Sequence, residues 1–313
     1  MPTPPVGVEE DKLGIRGSST VEVRFDVRVP LANVLGTPGA GMAQAHALLG
    51  WGRTIMSAGC VGTARAALDA ARAYVLERRQ FGRPIGTFDA TRAHVAWMAA
   101  RIHAMHGLIA RAAHQQAMGE SIEIASAEAK VFCSDGAFEV CDRALQLHGA
   151  MGFLESTGVA RMMRDCRITR IFEGANDVLL VRLGAARLMA RAGAERRVEP
   201  WRSPELRDAA ARIESLEARI AKSVASLRAA RGIAATRDQI ALQRLARAQI
   251  ASSAAAAALA CTHDADLARY AASTLLREGH RALADLAGSD DDRARVFEVS
   301  ERVHKNRGAR PGI

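Results

Sequence analysis

A chain of 313 residues, 49% of them hydrophobic, is long enough for two helical units that each bury a core. The formal net charge of +9 is spread along the chain, because residues 1–192 carry 22 basic and 18 acidic side chains and residues 193–313 carry 21 and 16. Such a spread argues against a nucleic-acid partner, and arginines interleaved with alanine are expected on solvated helix faces. No run approaches the ~20 apolar residues of a membrane-spanning helix.

The cysteine pattern and the first residues bear on the cell compartment. The five cysteines contain no C-x-x-C pair, which argues against a disulfide framework and against a zinc site. The opening residues, MPTPPVGVEEDK, lack the positive flank and apolar core of a secretory signal peptide. We therefore expect a cytoplasmic protein without a metal site.

The first predicted element is a β-strand over residues 21–29. The sequence VEVRFDVRV alternates with the period of a half-buried strand, and Pro30 ends it. No other segment clearly has a strand pattern, so this strand has no ladder partner within the chain. Either a partner supplies the sheet or the chain is a fragment.

A glycine- and proline-rich hinge at 35–41 leads into a predicted helical bundle over 42–189. Apolar residues recur at alternating spacings of three and four, which is typical of antiparallel bundle helices. Five helices are predicted, three long and two short: about 42–76, 95–112, 124–148, 159–167 and 176–189.

Residues 192–205 are predicted to form a linker, with Ser203 as a helix cap and Pro204 at the first helical position. A second helical domain follows. Its helices are expected near 205–230, 236–261 and 265–286, with a fraying end near 290–303. The predicted fold class is therefore mainly α: a helical bundle, a second helical domain and a residual strand at the N-terminus.

Four segments of the chain have distinctive sequences. In chain order they are 11–30 (DKLGIRGSSTVEVRFDVRVP), 77–85 (ERRQFGRPI), 146–153 (QLHGAMGF) and 163–177 (MRDCRITRIFEGAND). Each alone has a structural interpretation, such as helix-stop glycines or an interhelical turn. Together they resemble the acyl-CoA dehydrogenase family from Asp11 to about Met189. The IFEG sequence is most similar to the very-long-chain branch, as is the helical region after Pro204.

The resemblance implies three parts: 1–36 as a remnant of the family's middle β domain, 37–192 as its C-terminal helical bundle, and 203–313 as a C-terminal helical extension. It implies an FAD enzyme that oxidises an acyl-CoA to the trans-2-enoyl-CoA and passes electrons to an electron-transfer flavoprotein. In such an enzyme a carboxylate removes the α proton while hydride passes to the flavin. A homodimer is expected, and peripheral membrane contact is not favoured.

Glu173 matches the family's catalytic base. Its apolar neighbours Ile171 and Phe172 are of the kind that tune a catalytic carboxylate, although without the resemblance Glu173 would be interpreted as a surface residue before a helix cap. Arg53 and Gly174 match substrate-binding residues. The positions that match FAD-binding residues are Arg78, Gln80, Phe81, Gln146, Leu147, His148, Gly149, Ala150, Ala175, Asn176 and Asp177. As an acid or base, His148 is disfavoured in comparison with a helix-end histidine.

Three positions depart from the family pattern. Ala150 replaces the second glycine of a Gly-Gly pair, Ala175 replaces a threonine, and Gly50 stands where Asp or Asn is usual. Ala150 and Ala175 weaken expected FAD contacts and favour an alternative, a non-catalytic helical dimerisation or scaffold module derived from the family. Gly50 alters an expected contact with CoA. The retained residues favour the enzyme: Glu173, Arg78, Phe81 and Arg53.

Overall fold

The structure, a computed structural model, describes residues 7–190, 206–261 and 264–305. Within these ranges the protein is mainly α-helical, which confirms the predicted fold class. The helices are α1 (Gly41–Glu77), α2 (Asp89–Ala117), α3 (Glu123–His148), α4 (Val159–Arg167), α5 (Asn176–Met189), α6 (Arg207–Arg231), α7 (Gln239–Ala260), α8 (Ala265–Ala287) and α9 (Ser289–Lys305). The two short helices predicted in the bundle have the predicted bounds.

The chain divides into two compact units, Met1–Asn176 and Asp177–Ile313. Nearly all of α5 therefore falls in the second unit, whereas the sequence pattern grouped it with the bundle. The predicted linker at 192–205, with Ser203 and Pro204, lies outside the described residues. The segment expected to fray near 290–303 instead lies within helix α9.

The core of the first unit is built by α1, α2 and α3. Helices α1 and α3 run in the same direction: a Cβ added to Gly50 near the start of α1 would lie 3.5 Å from Ile122, just before α3, and Tyr74 near the end of α1 stacks on His148 at the end of α3. Helix α2, which lies between them in the sequence, runs in the opposite direction. This arrangement puts the starts of α1 and α3 at one end of the bundle and their C-terminal ends at the other.

The connection between α1 and α2 is a β-hairpin that the sequence analysis did not predict. Strand β1 (Arg79–Gln80) pairs antiparallel with β2 (Arg83–Pro84). The turn residues Phe81 and Gly82 have φ of +50° and +80°, and positive φ at both positions matches the twist of paired strands. The hairpin leaves the Phe81 side chain 91% exposed.

The predicted strand over 21–29 is wrong in extent. Only an isolated β-bridge at Val23 is formed there, and Phe25 and Val27 are 75% and 64% exposed. A strand is stabilised by its ladder, and the alternating pattern alone cannot supply a paired neighbour. The preceding residues do dock on α4: the Ile15 N–H donates to Asp165 Oδ1 at 2.6 Å, and a Cβ on Gly14 would lie 2.5 Å from the Arg164 carbonyl oxygen.

The second unit packs alanine-rich helices closely. Helices α7 and α8 share the most extensive contact, and α6 packs on both. A buried polar network joins α6 to α7, because Glu217 accepts hydrogen bonds from Gln249 Nε2 at 3.0 Å and from Ser252 Oγ at 2.5 Å. Asp238 caps α7 through the Ala241 N–H, and Asp264 caps α8 through the Leu267 N–H.

Gly184 of α5 has less room for a Cβ than the other described glycines of this unit. A Cβ at this position would lie 2.1 Å from the Leu242 carbonyl oxygen of α7. Because a backbone atom of a packed helix cannot swing aside, we expect Gly184→Ala to lower the free energy of unfolding by about 2 kcal/mol. Urea denaturation followed by circular dichroism measures the change. Gly288→Ala is the control, since its added methyl meets only Asp285 at an ordinary 3.9 Å; equal stability of the two variants would contradict the expectation.

No helix within the described ranges is both long and apolar enough to cross a membrane. All five cysteines are free thiols: Cys60, Cys133, Cys141, Cys166 and Cys261. Among the residues described, no group of His, Cys, Asp and Glu side chains is arranged to hold a metal ion.

Candidate functional site

The loop that carries Glu173 has an unusual backbone. It connects a 3-10 turn ending at Arg170 to the start of α5 at Asn176. Glu173 and Gly174 have φ of +57° and +96°. A non-glycine residue in the left-handed region costs about 1–3 kcal/mol and persists only where its surroundings hold it, most often at functional sites. The surroundings of Glu173 therefore have to supply that restraint.

Helix α1 provides the first restraint. Arg53, 5% exposed, donates from Nε to the carbonyl oxygen of Glu173 at 3.0 Å. The carboxylate lies against the preceding residue of the same helix, because a Cβ added to Gly52 would lie 2.9 Å from Glu173 Oε2. Two consecutive residues of α1 thus fix the main chain and leave room for the side chain of Glu173.

Helix α3 provides the second restraint through Lys130, which is fully buried. Its Nζ donates to the Gly174 carbonyl oxygen at 2.8 Å and to Asn176 Oδ1 at 2.6 Å. The Asn176 amide in turn donates to Ser134 Oγ at 2.9 Å and to Asp135 Oδ1 at 3.0 Å. The residues immediately after Glu173 are therefore tied to one face of α3.

The same network reaches the residues before Glu173. Arg170 donates from Nε to Asp135 Oδ1 at 2.6 Å, so Asp135 accepts hydrogen bonds from both sides of the loop. Charge-assisted hydrogen bonds of this kind are roughly twice as strong as neutral ones. The loop 171–175 is consequently held at both ends and at two of its carbonyl groups.

Burial lowers the pKa of Lys130 to about 8, from its ordinary value of 10.5. Asp135, Cys60 and Glu173 act in the opposite direction, and Arg53 adds to the lowering. Because the folded pKa lies below the unfolded one, the unfolded chain binds more protons between these two values. Lys130 therefore makes the free energy of unfolding rise as the pH increases from about 8 to 10.5.

We expect this pH dependence to disappear in Lys130→Met. Methionine fills a similar volume without a titrating group. The free energy of unfolding of the wild type, minus that of Lys130→Met, should therefore increase from about pH 8 to 10.5. Urea denaturation at several pH values gives the comparison, with Lys222→Met on the exposed surface of α6 as the control. Parallel wild-type and Lys130→Met profiles across this window would contradict the lowered pKa.

A cavity of about 450 Å³ adjoins the loop. Ile171 and Phe172, the two residues before Glu173, line it together with Ile168 and residues 12–15. In this chain Ile171 and Phe172 are 51% and 40% exposed, so they line an open recess and do not enclose the Glu173 carboxylate. The recess is mostly apolar in character and could accept a hydrophobic group beside the loop.

Most of the residues matched to FAD binding form a second cluster at the other end of the bundle. Arg78, Gln80 and Phe81 lie on the exposed hairpin after α1, and residues 146–150 lie at the end of α3. The Tyr74–His148 stack, with ring centroids 4.4 Å apart, brings these two segments together. Arg53 and Tyr74 are 21 positions apart in α1, a distance of about 30 Å along the helix axis.

Within this second cluster the residues differ in what they can offer. His148 is 6% exposed and its Nδ1 is 2.7 Å from the Ala144 carbonyl oxygen, which agrees with a helix-end histidine. Gly149 has φ of +58°, and nothing lies within 4 Å of the space a Cβ would take. Gln146, Gly149 and Ala150 are exposed, and Leu147 is half-buried. A ligand can therefore approach the backbone at Gly149.

The remaining matched residues flank the Glu173 loop. Gly174 is exposed and Ala175 is half-buried, whereas Asn176 is 7% exposed and uses its side chain inside the bundle. Asp177 is exposed in the first turn of α5. Sequence reasoning missed the network residues Lys130, Ser134, Asp135 and Arg170, and it missed the role of Gly52. The sequence around Lys130, Ser134 and Asp135 is that of an ordinary helix, and Arg170 lies in a distinctive segment that did not indicate its partner.

Comparisons with known proteins bear on the family of this chain. Residues 39–189 match the family described as Acyl-CoA dehydrogenase, C-terminal domain. The protein named probable acyl-CoA dehydrogenase YngJ, from Bacillus subtilis, is 41% identical over 169 residues, which are 54% of this chain and 44% of that protein. The crystal structure of an acyl-CoA dehydrogenase complexed with FAD from Bacillus anthracis is similar in fold, with a TM-score of 0.81 over 96% of this chain and 59% of that one, at 23% identity.

The structure of butyryl-CoA dehydrogenase from Megasphaera elsdenii matches at 40% identity, with a TM-score of 0.57 over 59% of this chain and 48% of that one. The chain spans about half the length of the curated relatives it matches. Over residues 39–189 the chain is therefore similar to the C-terminal domain of the acyl-CoA dehydrogenase family. The very-long-chain branch remains a prediction, since a butyryl-CoA dehydrogenase matches 59% of this chain.

Proposed function

We propose that this chain supplies the catalytic base and part of the FAD site of an acyl-CoA dehydrogenase, which converts an acyl-CoA to the trans-2-enoyl-CoA. The observation that carries the proposal is the clamped loop: Glu173 is held in a left-handed conformation by Arg53 from α1 and by Lys130 through Gly174. A carboxylate fixed in this way, beside an apolar recess, suits the removal of a proton from a bound thioester. Arg53 and Gly174 would contact the substrate.

The hairpin and the end of α3 fit an FAD molecule. Arg78 offers a guanidinium that can bind a phosphate with two hydrogen bonds, and Phe81 is 91% exposed for contact with a ring. The open backbone at Gly149 allows close approach. When bound, FAD accepts the hydride from the β carbon of the substrate. The distance of about 30 Å along α1 between this cluster and Arg53 supports the use of the hairpin by the cofactor of a second subunit.

The proposal extends to partners. We propose a homodimer, in which each subunit lends its hairpin to the other, and an electron-transfer flavoprotein as the electron acceptor. Ala175, Asn176 and Asp177 would contact the flavin, as would Gln80 and residues 146–150. A cytoplasmic location remains our prediction from the cysteine pattern.

A non-catalytic dimerisation or scaffold module is the second candidate function. Gly50 favours it, because glycine lacks the polar side chain expected there, although a Cβ at this position would make only an ordinary contact with Ile122, at 3.5 Å. Ala150 and Ala175 also favour this candidate, since each lacks a feature of the usual FAD contacts.

An anaerobic titration separates the two functions. The protein is loaded with FAD, together with the upstream region of a longer reading frame or a partner chain if either is required, and a saturated acyl-CoA is added. The enzyme should bleach the flavin spectrum and form one trans-2-enoyl-CoA per flavin. A flavin-loaded protein that binds acyl-CoA without bleaching would support the scaffold and overturn the dehydrogenase.

A further inference from the structure

Lys130 is a buried cation, and its burial requires compensating interactions. Lys130 is fully buried on α3, between helix neighbours that are alanine and valine. The desolvation of an ammonium group costs several kcal/mol, and its pairing must offset that cost. An apolar residue of the same volume would fill the space without this penalty. The position of its hydrogen-bond acceptors shows what the ammonium group adds.

Both acceptors belong to the segment that follows Glu173. One is the Gly174 carbonyl oxygen, at 2.8 Å, and the other is Asn176 Oδ1, at 2.6 Å. The neighbouring carbonyl, that of Glu173, is taken by Arg53 from another helix at 3.0 Å. Two consecutive peptide groups are therefore fixed by cations from α1 and α3. The orientation of these peptides sets the direction in which the Glu173 side chain leaves the backbone.

We propose that Lys130 is a positioning residue of the dehydrogenase reaction, which holds the Gly174 peptide so that the Glu173 carboxylate points at the substrate. The inference rests on the proposed function of Glu173 as the base. Lys130 would act through the loop and not on the substrate, because its ammonium group donates to a backbone carbonyl oxygen and to a side-chain amide oxygen. Its role is to keep a strained left-handed pair of residues in one conformation.

The Asn176 side chain is the second acceptor of Lys130 and is itself fixed by hydrogen bonds. It accepts from Lys130 and donates to Ser134 Oγ at 2.9 Å and Asp135 Oδ1 at 3.0 Å, so it cannot rotate without losing several hydrogen bonds. Asp135 also accepts from Arg170, on the other side of the loop. Loss of the Lys130 ammonium group would free the Gly174 carbonyl while Arg53 and Arg170 still hold the rest. We therefore expect a local change of the loop, with the helices intact.

The experiment compares Lys130→Met, Lys130→Arg and Lys222→Met in the FAD-loaded protein. Rapid mixing with a saturated acyl-CoA gives the limiting rate of flavin reduction and, from its concentration dependence, the Kd of the acyl-CoA. Lys130→Met should reduce the limiting rate about tenfold at unchanged Kd, because a base displaced by a fraction of an ångström still binds its substrate. Lys130→Arg, which keeps N–H donors, should recover most of the loss, and Lys222→Met should behave as wild type.

A second readout does not depend on activity. Amide hydrogen exchange in the 313-residue chain should accelerate at Ile171 and Phe172, whose N–H groups bond to the Ile168 carbonyl oxygen, while α1 and α2 keep their protection. A purely structural role would lower protection throughout the bundle. Uniform loss of protection, or a wild-type reduction rate in Lys130→Met, would overturn the positioning role.

The outcomes distinguish this inference from the proposed function. If Glu173→Gln abolishes flavin reduction and Lys130→Met does not affect it, the base assignment stands and the positioning role fails. If Glu173→Gln reduces flavin at the wild-type rate, the proposed function itself fails. Should Lys130→Met not fold, Lys130→Gln replaces it: its shorter, uncharged side chain must give the same loss of rate at unchanged Kd, and a wild-type rate overturns the inference.

Discussion

Glu173→Gln should leave acyl-CoA bound and lower the rate of flavin reduction by about 10³-fold or more. Glutamine preserves the shape of the side chain but cannot accept the α proton, and a positioned base contributes ~10²–10⁴-fold to such a step. Arg53 and Lys130 hold the backbone carbonyl oxygens of Glu173 and Gly174, so the loop should keep its conformation in the variant. The bleaching of the flavin spectrum after rapid mixing with a saturated acyl-CoA measures the rate.

Glu120→Gln is the matched control for this substitution. Glu120 is exposed beyond the end of α2, so the same chemical change occurs there without any contact with the loop. The control should reduce flavin at the wild-type rate. Reduction by Glu173→Gln within about tenfold of that rate would show that another group removes the proton.

Gly52→Ala should lower flavin reduction about 100-fold and leave stability unimpaired. The added Cβ would lie 2.9 Å from Glu173 Oε2 and 3.2 Å from its Cδ, so the carboxylate has to move. Because these atoms end a flexible side chain, the movement costs little folding energy, and alanine favours the helix by up to ~1 kcal/mol. A misplacement of about 1 Å at the reacting group can cost 10²-fold in rate. Thermal unfolding and flavin reduction, measured on one preparation, separate the two effects.

Gly59→Ala makes the same change two turns further along α1, where nothing lies within 4 Å of the added methyl. It should gain the same helix stability and keep the wild-type rate. Equal rates for Gly52→Ala and Gly59→Ala would mean that the gap beside Glu173 has no part in the reaction. Reduced stability in Gly52→Ala alone would mean that the backbone, not the carboxylate, yields.

Much of the fold could be predicted because helix periodicity is a local signal. The bounds of α4 and α5 agree with the predicted ones, and α1 differs by one residue at each end. The hairpin at Phe81 and Gly82 was missed because its strands are two residues long, too short for an alternating pattern. The strand predicted at 21–29 shows the opposite failure, since its alternation is clear but pairing requires a neighbouring strand.

The candidate site was predictable in part. The family resemblance identified Glu173 and Arg53. In the structure Arg53 Nε lies 3.0 Å from the Glu173 carbonyl oxygen. The role of Lys130 could not be predicted, because the sequence AEAKVF has the composition of an ordinary helix. The hydrogen-bond partners of its ammonium group lie 44 and 46 positions later in the chain. The requirement for a glycine at position 52 could not be predicted either, because it arises from the Glu173 side chain. Such requirements arise from tertiary contacts that no local pattern records.

The continuity of α1 has a consequence for how this protein can vary in length. A single helix of 37 residues carries Arg53 near one end and Tyr74 near the other, and both face α3 or the loop beside it. Each inserted or deleted residue rotates one end against the other by about 100°. An insertion of one residue between them would turn either Arg53 or Tyr74 away from its partner. We expect natural variation in this stretch to be restricted to substitutions, or to changes of three or four residues that restore the phase.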